Sequence, residues 1–225
     1  MTEIPIVFLV DDDASVLRSV GRLIRSGGYN VYPYSSAREF LAELQPPQQP
    51  CCLVLDLAMP ELSGIELQRR LAETQFNPPI IFISGHGDVP TTVRAMKGGA
   101  VDFLTKPFED RELLQAVRQA LQKDKLARRE RLEHTEVMTQ LNSLTGREEQ
   151  VLRLVVTGML NKQIAATLGT CEKTIKVHRG RVMRKMHVQS LAELVRKAEK
   201  AGVFVSPPGL RPPAQGPLNP RMSAI

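Results

Sequence analysis

Ile6-Val7-Phe8-Leu9-Val10-Asp11-Asp12-Asp13 is the stretch whose reading decides the fold: five apolar residues without alternation, ended by three acids. A strand covered on both faces has no polar side to show, so a continuous apolar run points to a parallel sheet flanked by helices. The pattern recurs in Cys52-Leu53-Val54-Leu55-Asp56, in Ile80-Ile81-Phe82-Ile83-Ser84 and in Val101–Thr105 before Lys106-Pro107, with a short Val31–Tyr34 segment besides. Helical periodicity fills the gaps. Leu17, Val20, Leu23 and Ile24 run to Gly27-Gly28, and a Ser36/Glu39 capping box opens a helix with Phe40, Leu41 and Leu44. Ile65, Leu67 and Leu71 mark a third helix, Val93 and Met96 a fourth, and Asp110 caps a fifth with Leu113, Leu114, Val117 and Leu121. Five βα units in about 120 residues predict an α/β fold, a doubly wound five-stranded parallel sheet.

Such sheets bind ligands outside the carboxyl ends of their strands, where the strand order reverses. The residues ending the strands here are Asp11-Asp12, Asp56, Ser84 and Lys106. A lone aspartate at a strand end is most simply a helix cap, and a lone lysine a solvated charge. Together they have a chemistry. Mg²⁺ prefers carboxylate, carbonyl and water oxygens, which Asp11, Asp12 and Asp56 would supply. Asp56 could also attack phosphorus to form an acyl phosphate. Lys106 would offset charge on the transferring group, and Ser84 would hydrogen-bond a phosphoryl oxygen.

The chain has 225 residues and a net charge of +6. The total hides a division. Residues 1–122 hold 11 Lys+Arg against 15 Asp+Glu, net −4, whereas residues 123–225 hold 19 against 9, net +10. Opposite signs in the two halves suggest two tasks, one involving nucleic acid. No stretch approaches 18 apolar residues, and three cysteines, two of them adjacent, make neither a disulfide framework nor a zinc site. With no basic leader before an apolar run, the expectation is a cytoplasmic protein without membrane partners.

Residues 123–142 are charged, without a sustained heptad, and predict a helical linker. A Thr145/Glu148 capping box then opens a helix ending at Gly158; a short helix (161–168) stops at Gly169, a third runs from about Glu172 to Met186, and a fourth carries Leu191, Leu194 and Val195. The second and third predict a helix-turn-helix, with Ile175, Val182 and Met186 inward and Lys173, Lys176, Arg181, Arg184 and Lys185 toward solvent or phosphates. Residues 143–205 hold 12 basic and 5 acidic residues, which favours duplex DNA over a merely solvated face. Residues 206–225, with six prolines and two glycines, predict a disordered tail. The expected domains are thus 1–122, linker 123–142, 143–205 and tail 206–225.

The first half resembles the receiver domains of two-component response regulators through Leu9-Val10-Asp11-Asp12-Asp13, Leu55-Asp56-Leu57-Ala58-Met59-Pro60, Ser63-Gly64, Ser84-Gly85 and Lys106-Pro107-Phe108. The resemblance implies a flavodoxin-like sheet with Asp56 as phosphoacceptor. Asp11, Asp12, Asp56 and the Ala58 carbonyl would surround Mg²⁺, and Ser84 and Lys106 would contact the phosphoryl group. Phe103 takes the aromatic switch position, where many members carry Tyr. The second half resembles the four-helix DNA-binding domains of the LuxR, NarL and FixJ class through Leu144-Thr145-Gly146-Arg147-Glu148, Asn161-Lys162-Gln163-Ile164-Ala165, Leu168-Gly169, Thr174-Ile175-Lys176-Val177-His178 and Lys185-Met186. It implies Lys176 and Val177 at base edges and Lys173, Thr174, Arg181 and Lys185 at phosphates; Gly180 departs from members with a long polar side chain there.

Asn161 is expected to cap its helix and His178 to pack or cap. The combined resemblance implies a transcription regulator, an activator by family analogy, served by a sensor histidine kinase, promoter DNA and RNA polymerase, and dimerising when phosphorylated. Two rivals stand beside it: a DNA-binding protein whose receiver only dimerises, and an aspartate-based phosphatase of the haloacid dehalogenase type. The second needs an acid/base two residues after its nucleophile, where this chain has Ala58. The chain is therefore not expected to be a turnover enzyme.

Overall fold

The structure, a computed structural model, describes residues 4–74, 76–85 and 88–203. The tail expected to be disordered at 206–225 lies outside the described residues. Two compact units divide at Glu130/Arg131.

The first unit alternates β1 (Ile6–Val10), α1 (Ala14–Ser26), β2 (Asn30–Tyr34), α2 (Ala37–Glu43), β3 (Cys51–Asp56), α3 (Gly64–Ala72), β4 (Ile80–Ser84), α4 (Val89–Lys97) and β5 (Asp102–Thr105) before α5 (Asp110–Asn142). The sheet order is β2-β1-β3-β4-β5, all parallel. Successive side chains on a strand point to opposite faces, so β1 feeds two cores. Phe8 and Val10 join Phe40, Leu53, Leu55, Leu67, Leu71 and Phe82 on one face. Val7 and Leu9 join Ile24, Val54, Ile81, Ile83, Leu113 and Val117 on the other. Pro33 lies in β2, an edge strand, where its missing N–H costs no ladder bond to a further strand. From β1 the chain moves out to β2 and returns on the other side to β3. The order therefore reverses between β1 and β3.

Two local expectations change. Glu39 accepts from the Ser35 N–H and hydroxyl, both at 2.7 Å, while the Ser36 hydroxyl accepts from the Glu39 N–H; the box reaches one residue further back than the sequence suggests. Asp110 is the first residue of α5 and not its cap. The Glu109 carbonyl accepts from the Leu113 N–H, and the Glu109 N–H donates to Glu112 Oε2 at 3.1 Å.

Helix α5 also runs without a break through the stretch read as linker. Residues 123–130 belong to the first unit. Buried Asp124 accepts from the Cys51 N–H at 2.8 Å and pairs with Arg128, which donates to the carbonyls of Pro47 and Gln48.

The second unit contains α6 (Gly146–Val156), α7 (Asn161–Thr167), α8 (Glu172–Lys185) and α9 (Leu191–Lys200). Its core gathers Val137, Val151, Leu152, Val155, Ile164, Ile175, Val182, Met186 and Leu194. Gly169, with φ of 62°, makes the turn from α7 to α8, a left-handed conformation that costs glycine little. No helix among the described residues is long and apolar enough to cross a membrane.

Candidate functional site

The pairing Val10↔Leu55 sets Asp11 beside Asp56 at the carboxyl ends of β1 and β3. Both are buried. Lys106, delivered by the β5–α5 loop, puts Nζ 2.8 Å from Asp11 Oδ2 and 2.7 Å from Asp56 Oδ1. The other carboxylate oxygens are held by the backbone: Asp11 Oδ1 accepts from the Asp13 N–H at 2.9 Å and Asp56 Oδ2 from the Ala58 N–H at 2.8 Å. The Ser84 carbonyl accepts from the Lys106 N–H at 2.7 Å, tying the loop to the end of β4. The Lys106–Pro107 peptide is cis.

Two carboxylates facing one ammonium leave the pocket an excess negative charge. Burial pushes the Asp11 carboxyl up, against the hydrogen bond from Lys106. Burial works against the Lys106 ammonium, yet its bonds to Asp11 and Asp56 outweigh that and hold its pKa above the ordinary value. Asp12 is exposed beside the pocket and Ser84 is buried. Half-buried Phe103 packs its ring 6.2 Å from that of Phe82.

The donor set is hard oxygen throughout, the chemistry Mg²⁺ takes, and the excess charge is of the right sign. Among the described residues no three His, Cys, Asp or Glu side chains are gathered for a metal as they stand. Beyond Asp11 and Asp56, coordination would draw on Asp12, the Ala58 carbonyl and water.

Gly64 guards this geometry. A β-carbon there would lie 2.4 Å from the Asp56 carbonyl oxygen and 3.2 Å from Leu57 Cα, backbone atoms that cannot swing aside. Gly64→Ala should cost about 1–3 kcal/mol, as overpacking does, and slow any reaction at Asp56. Urea unfolding checks the first effect; an unshifted midpoint would mean that the loop absorbs the methyl.

In the second unit, α8 buries Ile175 and Val182, followed by buried Met186, and exposes Lys173, Lys176, Arg181 and Arg184, with Val177 50% exposed. Thr174 is half-buried, its Oγ1 3.1 Å from Cys171 Sγ. Three polar ties hold the helix-turn-helix. Arg179 donates to Asn161 Oδ1 at 3.1 Å, Arg147 to the Leu168 carbonyl at 2.6 Å, and Lys185 Nζ to Glu148 Oε2 at 2.7 Å. His178 is half-buried, its Nδ1 without a hydrogen-bond partner among the described residues.

Residues 7–118 match the response regulator receiver domain family, and residues 142–198 match the luxR family of bacterial regulatory proteins. Nodulation protein W of Bradyrhizobium diazoefficiens is 50% identical over 198 residues, 88% of this chain and 87% of that protein. The chain is a two-component response regulator of the NarL/FixJ type. The transcriptional regulatory protein FixJ of Rhizobium meliloti is 42% identical over 196 residues, 87% of this chain and 96% of FixJ. Among solved structures, the response regulator StyR superposes with a TM-score of 0.80 at 49% identity, covering 88% of this chain and all of StyR. Receiver domains of this family generally bind Mg²⁺ at the acidic pocket, and its members work with sensor kinases and DNA.

In this response regulator the structure brings Asp11, Asp56 and Lys106 together, with Ser84 at the neighbouring strand end and Asp12 on the rim. Lys173, Lys176, Val177 and Arg181 share the open side of α8. Lys185, expected at DNA phosphates, has its ammonium engaged here by Glu148 and by the Ser143 carbonyl at 2.8 Å. Asn161 does not cap α7. That start is served by Gln163 Oε1, which accepts from the Leu160 N–H at 2.8 Å, and Asn161 anchors Arg179 instead. Sequence reasoning missed Glu148 as more than half a capping box. It is buried, accepts from the Thr145 N–H, and pairs with a lysine 37 residues away. Its place on the apolar face of α6, beside Val151, Leu152 and Val155, was the available signal.

Proposed function

We propose that this response regulator is switched by phosphorylation of Asp56 from a partner histidine kinase, dimerises, and binds promoter DNA to activate transcription. The observation that carries the reading is Lys106 held between Asp11 and Asp56 at the switch point of the sheet. An Asp56 carboxylate oxygen attacks phosphorus, the donor's bond to phosphorus breaks, and an acyl phosphate results. Lys106 is already in place to offset the incoming charge. Asp11, Asp12, Asp56 and the Ala58 carbonyl would hold Mg²⁺, which would supply further charge neutralisation when bound.

The phosphoryl group would draw the Ser84 hydroxyl and Lys106 toward it. Phe103 follows, and the surface from α4 to β5 changes. Moving a receiver from about 1% to 99% active takes about 5.5 kcal/mol of differential stabilisation. Two or three charge-assisted hydrogen bonds at about 1.5–3 kcal/mol each supply that scale. Two DNA-binding units brought together would suit a two-fold site, in the cytoplasm and within reach of RNA polymerase. Two residues after Asp56, where such a phosphatase would carry its acid/base, Ala58 offers Asp56 a backbone N–H, which favours a phosphate-accepting switch over turnover on outside substrates.

The test is incubation of the full chain with Mg²⁺ and acetyl phosphate. Expected are one phosphate per chain, a monomer-to-dimer shift in sedimentation and tighter DNA binding, all lost in Asp56→Asn. Continuous hydrolysis of phosphomonoesters would favour the phosphatase, and an Asp56→Asn variant that still responds would remove Asp56 from the switch.

A further inference from the structure

The middle of α8 carries a glycine that its own fold does not require. Glycine is the least favourable helix-interior residue apart from proline, because it surrenders the most backbone freedom. Folds keep it where the backbone takes a left-handed turn or where a neighbour comes too close for a β-carbon. Neither applies at Gly180. It is not among the described glycines with positive φ, and a β-carbon built on it meets nothing within 4 Å.

Its position supplies another reason. Gly180 follows Lys176 and Val177 by four and three residues and precedes Arg184 by four, the spacings that put side chains on one helix face. Lys173 lies two turns before it. All four neighbours are exposed, while buried Ile175 and Val182 occupy the other side. Gly180 is thus the gap at the centre of the cationic stripe.

We propose that Gly180 is the point of closest approach between α8 and the floor of the DNA major groove. Lacking a side chain there, the helix seats deeply enough for Lys176 and Val177 to reach base edges, with phosphates left to residues on the flanks. The ligand is duplex DNA, and the inference rests on the DNA-binding reading of α8.

The experiment uses the full chain treated with Mg²⁺ and acetyl phosphate. The probes are a duplex that the wild type selects from a randomised pool, and a scrambled duplex of equal length. Gly180→Ala should slow amide hydrogen exchange in α8, since alanine favours the helix, yet weaken binding of the selected duplex about tenfold, the scale of one lost base contact. Gly180→Met, also a good helix former, should weaken it about tenfold further, with smaller losses on the scrambled duplex. Lys176→Ala separates the two levels. If it weakens selection while both Gly180 variants bind as the wild type does, the close-approach assignment falls and the DNA reading stands. If Lys176→Ala is also without effect, or the wild type selects no duplex, the reading itself fails and takes the assignment with it. A Gly180→Ala chain that changes its sedimentation without DNA overturns the assignment in favour of contact between copies.

Discussion

Lys106→Met should destabilise the receiver by about 3 kcal/mol at neutral pH, the lower end of the range for removing one partner of a buried ion pair. The lower end applies because the Lys106 side chain is 25% exposed and part of its charge is already solvated. What remains is the pair Asp11 and Asp56, each holding one backbone N–H and each with an oxygen that has lost its cation. Two neighbouring carboxylates cannot both stay ionised without cost, so Asp11, whose carboxyl burial already pushes up, takes up a proton at higher pH than an isolated aspartate would. A raised folded-state pKa favours the fold at low pH. The variant's deficit against wild type should therefore shrink on acidification from pH 7 toward about pH 5, short of the point where aspartates titrate in the unfolded chain. Mg²⁺ should also stabilise the variant more than the wild type, since it restores positive charge to the same place. Phosphate incorporation at Asp56 should fall about 100-fold, as when a preorganised charge stabiliser is lost. Urea unfolding at pH 7 and pH 5, with and without Mg²⁺, checks the electrostatic account; a deficit equal under all four conditions would reduce Lys106 to a packing role.

The strand runs were legible because a sheet covered on both faces leaves no alternation, and the residues ending those runs were legible because they break it. The sequence could not show which ends meet. That depends on β1 pairing with both β2 and β3 and on the register Val10↔Leu55. Given that register, Asp11 and Asp56 must be neighbours, and Lys106, 50 residues beyond Asp56, is brought to both by β5 closing the sheet. In α5 it was not the helix but the attachment of residues 123–130 to the first unit that was hidden, for the opposite reason. From Gln122 to Glu130 its sequence is polar but for Leu126 and Ala127, and its hold on the first unit there comes from Asp124 meeting the Cys51 N–H, 73 residues away, which no local pattern encodes. The tie from Lys185 to Glu148 was not legible because a basic residue on a recognition helix looks the same whether its partner is a phosphate or a buried glutamate. Only the fold of α8 against α6 tells them apart.

That distinction has a measurable consequence in Lys185→Ala. Glu148 sits at 2% exposure with its carboxylate fixed by the Lys185 ammonium and the Thr145 N–H. Those two bonds, the lysine's first, hold its pKa down from the ordinary 4.5 to about 2. Removing the lysine strands a buried charge. With the Lys185 side chain 35% exposed, the loss to the DNA-binding unit should be about 2 kcal/mol, the scale of a charged hydrogen bond broken on one side. The sign of the pH dependence follows from the depressed pKa. The stabilisation is present above the pKa of an unfolded glutamate and drains away as pH falls from about 5 toward 2. Glu148→Gln should be less stable at neutral pH and nearly flat across that window, and the double variant should show the two single losses failing to add. DNA binding gives the independent reading. With its ammonium engaged inside the protein, Lys185 releases no counterion from DNA. At a temperature where Lys185→Ala remains folded, the slope of log affinity against log salt should match the wild type. Arg184→Ala, which removes an exposed charge from the cationic stripe, should lower the slope by about 0.9. A comparable drop in Lys185→Ala would return that ammonium to the phosphates.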